Sequence, residues 1–290
     1  MMKAIKSIFF VAFFATLSVV FLSCNTSKDV RGKDETFSKT CQIGYFSKVD
    51  ITSFADVRFV QGKDVSMRIV GKKSLVDRVE YGLDGETLVI KHKPNNMRKG
   101  NFLFGDDGDD LTIYISSPDL TGVTLVGSGS FIMDGNLDTD AITAELRGSG
   151  DIVFKDVVCD NFVGNLRGSG DFNAQNINGR SVNLALFGSG DMSVKHVVAQ
   201  TSDVSLRGSG DLAVALNKVD KSSVGLFGSG DMVVDFADCG HADCQLRGSG
   251  DIVLHGSLRS VSKSTTGSGD IDDHKLVVNA ASGRHNVMVK

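Results

Sequence analysis

The sequence contains no tryptophan, only two prolines and no run of basic residues. Both prolines, Pro94 and Pro118, lie before residue 120, so no proline removes a backbone hydrogen-bond donor from any strand in the rest of the chain. Lys and Arg number 31 against 35 Asp and Glu. Without a basic patch, this balance argues against a nucleic-acid partner. The absence of tryptophan, with only three tyrosines, leaves few rings for stacking on a sugar substrate.

A Gly-Ser-Gly-Asp tetrapeptide recurs through the second half of the chain at a fixed interval of 20 residues. Looser copies begin at Gly127 and Gly267. A fixed period of this length is typical of a stacked repeat protein. The tetrapeptide copies begin at Gly148, Gly168, Gly188, Gly208, Gly228 and Gly248.

Within each repeat the apolar residues are spaced by two, which is the period of a strand with one buried face. The residue after each Asp is apolar, as in Ile152 and Phe172, and a leucine column runs from Leu166 to Leu246. We therefore predict an all-β fold, a right-handed parallel β-helix with coils of about 20 residues. The six glycines should line up at one corner. An antiparallel meander is the rival, and it would place alternate repeats on opposite edges.

The N-terminus predicts export and lipid attachment. Lys3 and Lys6 precede an apolar run that ends at Ser23-Cys24, so residues 1–23 are expected to be a signal peptide and Cys24 a lipidation site. An uncleaved membrane anchor is the alternative, although the run is short for a span. Residues 24–36 should then form a polar tether, 37–120 a β-rich cap, and 121–290 the solenoid. Asp84-Gly85 predicts a hairpin turn inside the cap.

The segments that carry a family resemblance are Phe54 to Gly62, Leu83 to Leu88, Val126 to Gly129 and the Gly-Ser-Gly-Asp ladder. Together, over residues 45–285, they resemble the auto-transporter adhesin, head GIN domain family, found mostly in envelope proteins of Bacteroidetes. The resemblance implies a β-solenoid outside the cytoplasmic membrane. It assigns no catalytic residues.

The aspartate column is the first candidate site. Carboxylates stacked one coil apart repel by about 3 kcal/mol at a surface-like dielectric, so something must relieve the charge. Each Asp could accept hydrogen bonds from the amides of its own Gly-Ser-Gly corner. Bound calcium is the other interpretation. The column consists of Asp151, Asp171, Asp191, Asp211, Asp231, Asp251 and Asp270.

The second candidate is the column that follows the leucines, in which Arg and Phe alternate. Period two places these residues outside, where a guanidinium could lie within cation–π reach of a ring, roughly 6 Å. These residues could interact only with one another and with nearby Asp residues, or they could bind an anionic glycan or a partner protein. We call this column the Arg/Phe strip, and it consists of Arg147, Arg167, Phe187, Arg207, Phe227 and Arg247.

Other metal-like patterns are weaker. Cys239, His241 and Cys244 resemble zinc ligands, but Cys244 lies in an inward column. The acids between Asp106 and Asp110 belong to a glycine-bearing loop, for which a solvated turn is the simpler interpretation. Cys159 and Cys239 share one column four coils apart, too far for a disulfide, and small buried hydrophobes are expected there.

The sequence therefore favours a non-catalytic envelope lipoprotein with no cofactor. It would be anchored by lipid, in the outer membrane, and would act as an adhesin-like or scaffold module with a glycan or protein ligand. A polysaccharide-processing enzyme needs two convergent carboxylates, and a regular column does not supply them. That enzyme and a calcium-stabilised structural protein remain the alternatives.

Overall fold

The computed structural model describes residues 24–29, 36–93 and 111–279, with side chains described from residue 36 onward. The predicted signal peptide and the acidic loop that ends at Asp110 lie outside these residues. The described chain is almost entirely β-structure, with one helical turn, α1 (Lys73–Val76). The N-terminal strands are β1 (Cys24–Asp29), β2 (Thr36–Cys41), β3 (Lys48–Thr52), β4 (Asp56–Gln61), β5 (Ser66–Lys72), β6 (Val79–Asp84), β7 (Thr87–His92) and β8 (Leu111–Ser117).

The repeats form a parallel solenoid in which each strand pairs with its counterpart one repeat later. Leu146 pairs with Leu166, and Asp151 pairs with Asp171. The predicted parallel β-solenoid is therefore confirmed, and the antiparallel meander is excluded. Its strands are β9 (Gly122–Gly127), β10 (Ser130–Met133), β11 (Asn136–Asp138), β12 (Ala141–Gly148), β13 (Asp151–Val158), β14 (Asn161–Gly168), β15 (Asp171–Asn178), β16 (Ser181–Gly188), β17 (Asp191–Val198), β18 (Thr201–Gly208), β19 (Leu212–Asn217), β20 (Lys221–Gly228), β21 (Met232–Gly248), β22 (Ile252–Gly267) and β23 (Ile271–Val278).

The coils that carry the tetrapeptide have three sides, as the coil of β12 and β13 illustrates. The first side is β12, which ends at the Gly-Ser-Gly corner. The chain bends again within β13, where Lys155 and Asp156 both point away from the core and the pairing with β15 skips Lys155. A last corner follows at Cys159, whose side chain is buried. The three sides enclose a core that runs along the solenoid axis.

The core of the first coils is a stack of phenylalanines. The ring centroids of Phe59, Phe131, Phe154 and Phe172 follow one another at 6.4, 6.0 and 6.1 Å. Gly164 provides space for this stack, because a Cβ there would lie 3.0 Å from Cζ of Phe172. Burial of each such ring contributes about 1.5–3 kcal/mol relative to exposure.

The Gly-Ser-Gly corners need both of their glycines. Gly168 has φ +145°, a region that side-chain-bearing residues rarely adopt. A Cβ on either Gly168 or Gly170 would lie closer than 3.0 Å to a carbonyl oxygen of the coil before. The amides of Ser169 and Gly170 both donate to the Gly148 carbonyl, at 2.9 and 3.2 Å. The six predicted glycines occupy one corner, each with positive φ.

The solenoid begins earlier in the chain than predicted. β3 and β4 form a coil that stacks on β9 and β10, with Ile51 paired to Leu125 and Val57 to Phe131. On its other side this coil stacks on β7 and β8. The predicted cap over 37–120 therefore contains strands of the parallel solenoid, and these lack the tetrapeptide.

The remaining N-terminal strands extend the sheet in antiparallel fashion. β8 pairs with β5, β5 with β2, and β2 with β1. β1 starts at Cys24, so part of the segment expected to be a tether is a paired strand. β6 and β7 form the predicted hairpin, with Gly85 at φ +60°.

The last described coil closes the solenoid with polar residues. Lys263 pairs in register with the buried Cys244, and Thr265 with the buried Leu246. Asp273 lies in the irregular stretch that faces Leu254, and its carboxylate is 2.6 Å from Nζ of Lys263. Charge thus replaces apolar side chains where the core ends.

Candidate functional site

The Arg/Phe strip is a single straight row at the end of the first side, next to the glycine corner. The strand register places its six members directly on one another. The arginines are exposed and the phenylalanines are half-buried. The predicted alternation along the outer surface is therefore present in the fold.

Each phenylalanine ring of the strip lies between two guanidinium groups. The centroid of Phe187 is 4.7 Å from Cζ of Arg167 and 5.8 Å from Cζ of Arg207. The centroid of Phe227 is 4.9 Å from Cζ of Arg207 and 5.9 Å from Cζ of Arg247. At these distances each cation is attracted to the ring face, which holds the arginines in place and apart.

One acidic residue, Glu145, neutralises the N-terminal end of the strip. Its two carboxylate oxygens accept hydrogen bonds from Nε and Nη2 of Arg147, both at 2.8 Å. This pairing raises the pKa of Arg147 above its usual value. Nε of Arg167 is 3.5 Å from the same carboxylate. Among the described residues no carboxylate pairs with Arg207 or Arg247, so the other end of the strip carries positive charge.

Small residues two positions before each phenylalanine make room for the rings. A Cβ on Gly225 would lie 2.9 Å from Cε2 of Phe227. Ala185 is buried two residues before Phe187. These positions and Glu145 were not predicted from the sequence. The signal was present, because the two Phe repeats read Ala-Leu-Phe and Gly-Leu-Phe, whereas the Arg repeats have a larger residue there.

The aspartate column forms its own ladder between coils. A carboxylate oxygen of Asp231 accepts the backbone N–H of Asp251 at 3.0 Å, and the same contact joins Asp251 to Asp270 at 2.8 Å. The corner amides instead donate to carbonyls of the coil before. The predicted bond from each Asp to its own corner is therefore wrong. The equivalent contacts are Asp151 to Asp171, Asp191 to Asp211 and Asp211 to Asp231.

The described fold and sequence match a known family. The family model described as "Putative auto-transporter adhesin, head GIN domain" matches residues 45–225 and, in a second match, 216–286. The chain belongs to this head GIN domain family. Among curated proteins, none matches the sequence.

Solved structures share the head GIN domain fold. A "putative lipid binding protein" from Parabacteroides distasonis is 24% identical, with a TM-score of 0.70 over 83% of this chain and 96% of that one. A "putative adhesin" from the same organism is 17% identical, with a TM-score of 0.66 over 85% and 98%. A "putative adhesin" from Bacteroides fragilis is 21% identical, with a TM-score of 0.54 over 86% and 100%. The description of the matching family suggests an association with the cell envelope or surface.

The cysteines whose side chains are described in this head GIN domain do not assemble a metal centre. Cys239 and Cys244 are buried, and Sγ of Cys239 contacts the Leu216 carbonyl at 3.1 Å. His241 is exposed and contacts Oγ of Ser260. Within residues 36–93 and 111–279, no three His, Cys, Asp or Glu side chains converge as a metal site. Burial raises the pKa of Cys159 to about 11 and that of Cys244 to about 12, so these thiols are protonated at neutral pH.

A shallow polar groove follows the last corner of the head GIN domain coils. It includes Asp140 and Asp160, which belong to one column, and Arg180. Nη2 of Arg180 pairs with the Asp160 carboxylate at 3.2 Å.

In the part of the chain that the structure describes, no helix is long and apolar enough to span a membrane.

Proposed function

We propose that this protein is a non-catalytic, adhesin-like or scaffold module of the bacterial envelope. Its solenoid presents the Arg/Phe strip as a rigid binding face. Lipid on Cys24 anchors it to the outer membrane, with the fold outside the cytoplasm. The family match and the names of the structural neighbours support an envelope role of this kind.

The observation that carries the proposal is the sandwich of each Phe ring between two guanidinium groups. Solvent-exposed arginines usually sample many rotamers, and binding then costs about 0.5–1.5 kcal/mol per immobilised side chain. Here Arg207 contacts both rings, so its side chain is already partly ordered and loses less conformational freedom when a ligand binds. Aromatic residues and arginine are also the residue types enriched in interfaces.

A hydrolase is the alternative class, and the placement of the acids favours it less. Glycoside hydrolysis needs two carboxylates that flank one bond and have different environments. The exposed acids of the repeats instead stand in columns, with equivalent contacts from coil to coil. Turnover of any polysaccharide that is lost on changing a pair of these acids would overturn the proposal.

Lipid binding is a second candidate because one structural neighbour carries that name. The interior of the described coils is filled by side chains, including the phenylalanine stack and the leucine column. A lipid would therefore have to bind on the outside of the solenoid. Anionic and neutral vesicles belong in the binding experiments for this reason.

The test is a glycan and matrix-protein binding screen with the detergent-solubilised full chain, with calcium and with chelator. We expect binding that is lost in the variant Phe187→Ala with Arg207→Ala. The matched control is Arg180→Gln with Arg259→Gln, which removes two arginines from another corner. Binding that survives the strip variant would remove the strip as the binding face, and loss of binding in the control as well would show that the effect is not specific to the strip.

A further inference from the structure

The geometry points to a linear acidic polysaccharide, with one carboxylate on every second sugar, as the ligand of the Arg/Phe strip. This inference rests on the proposed function and names the ligand class of the same face. It follows from the spacing of the arginines, from the lack of described acidic partners at Arg207 and Arg247, and from the charges that border the strip.

The arginines that flank the two rings repeat at every second coil. Arg207 and Arg247 lie on either side of Phe227, so their guanidinium groups are separated by two strand spacings, roughly 10 Å. Arg167 and Arg207 are related in the same way across Phe187. A sugar in an extended chain is about as long as one strand spacing, roughly 4.8 Å. Two sugars therefore span the distance between successive arginines, so a chain with a carboxylate on alternate sugars would place one carboxylate beside each arginine.

The chemistry of the cations suits carboxylates. A guanidinium donates two parallel N–H bonds to a carboxylate, as Arg147 does to Glu145 within the strip itself. Arg207 and Arg247 can make bonds of this kind, because their guanidinium groups contact only the phenylalanine rings and no described carboxylate pairs with them. The paired hydrogen bonds between Arg147 and Glu145 thus show the contact that a carboxylate of the ligand would make with Arg207 or Arg247.

Negative charge borders the strip on both sides and restricts the ligand to a single chain. Asp203 and Asp243 are exposed on the same side of the coils, four residues before Arg207 and Arg247. The aspartate column lies beyond the glycine corner, four residues after them. A flat anionic bilayer or a densely sulfated polymer would meet these carboxylates, whereas a narrow chain along the strip would not.

The phenylalanine positions lie opposite the uncharged sugars. A ring edge exposed between two arginines offers an apolar contact to a sugar and no hydrogen-bond donor. A carboxylate at this position would lose its water without gaining a partner, which disfavours polymers charged on every sugar. The strip therefore distinguishes ligands by where their charges lie as well as by how many they carry.

Calorimetry with the full chain and three oligosaccharides of matched length tests the inference. The probes are hyaluronan, which has a carboxylate on alternate sugars, oligogalacturonate, which has one on each, and uncharged chitin fragments. We expect hyaluronan to bind at least tenfold more tightly than either. Arg207→Gln with Arg247→Gln should abolish this binding, whereas Arg180→Gln with Arg259→Gln should preserve it.

A variant that changes the charge spacing gives the second measurement. Phe187→Arg with Phe227→Arg places an arginine on every coil, so the preference should shift toward oligogalacturonate, with folding checked by the melting temperature. Equal binding of the three probes, preference for anionic vesicles, or no shift in this variant would overturn the polysaccharide inference. If another ligand from the screen still depends on the strip, the proposed function stands. If none does, both fail.

Discussion

Nζ of Lys263 lies 2.6 Å from a carboxylate oxygen of Asp273, and this ion pair spans the coil that covers the C-terminal end of the core. Both residues stand where earlier coils place apolar side chains. Among the described residues, Ser260 to Gly267 and β23 pair on one side only. Inward-pointing charge is a known protection of such an edge against pairing with another chain.

Replacing this pair by Lys263→Leu with Asp273→Leu should make the protein self-associate. The last coil would then present an apolar surface together with free backbone groups, so we expect concentration-dependent dimers by analytical ultracentrifugation. Arg180→Leu with Asp160→Leu is the matched control, since it removes an ion pair from a lateral corner. If the control variant also forms dimers at the same concentration, the self-association results from added hydrophobicity alone and not from the exposed edge.

Alanine at the corner glycines should be poorly tolerated. At Gly188 the backbone has φ +141°, and at Gly190 a Cβ would overlap the Gly170 carbonyl. We expect either substitution to lower the free energy of unfolding by at least about 3 kcal/mol, measured by urea denaturation. Ser189→Ala, at the exposed residue between them, should change it by less than about 0.5 kcal/mol. Similar values for all three would show that the corner is not tightly packed.

The aspartate column should act as a hydrogen-bond acceptor and not as a calcium site. Asp211→Asn keeps an oxygen for the N–H of Asp231, whereas Asp211→Ala removes it. We therefore expect Asn to leave the melting temperature unchanged or raise it, and Ala to cost about 1 kcal/mol. Chelator should not change the melting temperature of the unaltered protein. A loss of several degrees with chelator would instead identify calcium as a structural ion.

The buried thiols should resist alkylation until the protein unfolds. The pKa of Cys159 is raised to about 11 and that of Cys244 to about 12, so neither forms the reactive thiolate at pH 8. Because the folded pKa values lie above the unfolded value of about 8.5, stability is retained below that pH and falls as pH rises toward 11. Iodoacetamide labelling with mass spectrometry, with and without urea, measures the resistance of these thiols to alkylation. Rapid labelling of Cys244 in the native protein would contradict its burial.

Cys24→Ala should release the protein from membranes. If lipid on this residue is the anchor, fractionation should move the variant to the soluble fraction, and labelling with a fatty-acid analogue should disappear. Cys41→Ala is the control, because Cys41 is the register partner of Cys24 in the neighbouring strand but carries no predicted lipid. Unchanged fractionation and labelling of Cys24→Ala would refute the anchor.

The sequence predicts those parts of the fold in which close backbone contact dictates the residue. Gly168 and Gly170 can be read from the tetrapeptide because no side chain fits beneath the neighbouring carbonyl. The coil of β3 and β4 lacks this signal, because Ser53-Phe54-Ala55 occupies the corner on which Gly127 and Gly129 stack. Its strands are visible in the sequence, but their partners are not. Pairing between distant strands depends on packing, and no local motif records it.

For the strip, the alternation of Arg and Phe was predictable from period two, because outward residues in one column must stack. The role of Glu145 was not, since it depends on where Arg147 directs its guanidinium group. The partner of each aspartate was also missed. The Asp of one coil meets the amide of the next, and a local turn rule considers only the residues of its own corner.

The position of the β3–β4 coil, between strands β7 and β8 on one side and the coil of β9 and β10 on the other, sets an order of events during folding. Thr121 must reach the Ser47 carbonyl, across 74 residues, before the first tetrapeptide coil has a surface on which to stack. Each later coil then needs only contacts about one repeat away, and the entropy of closing such a short loop is smaller. The protein should therefore nucleate slowly at its N-terminal end and grow rapidly toward the other. A chain exported N-terminus first would emerge in the order in which it can fold.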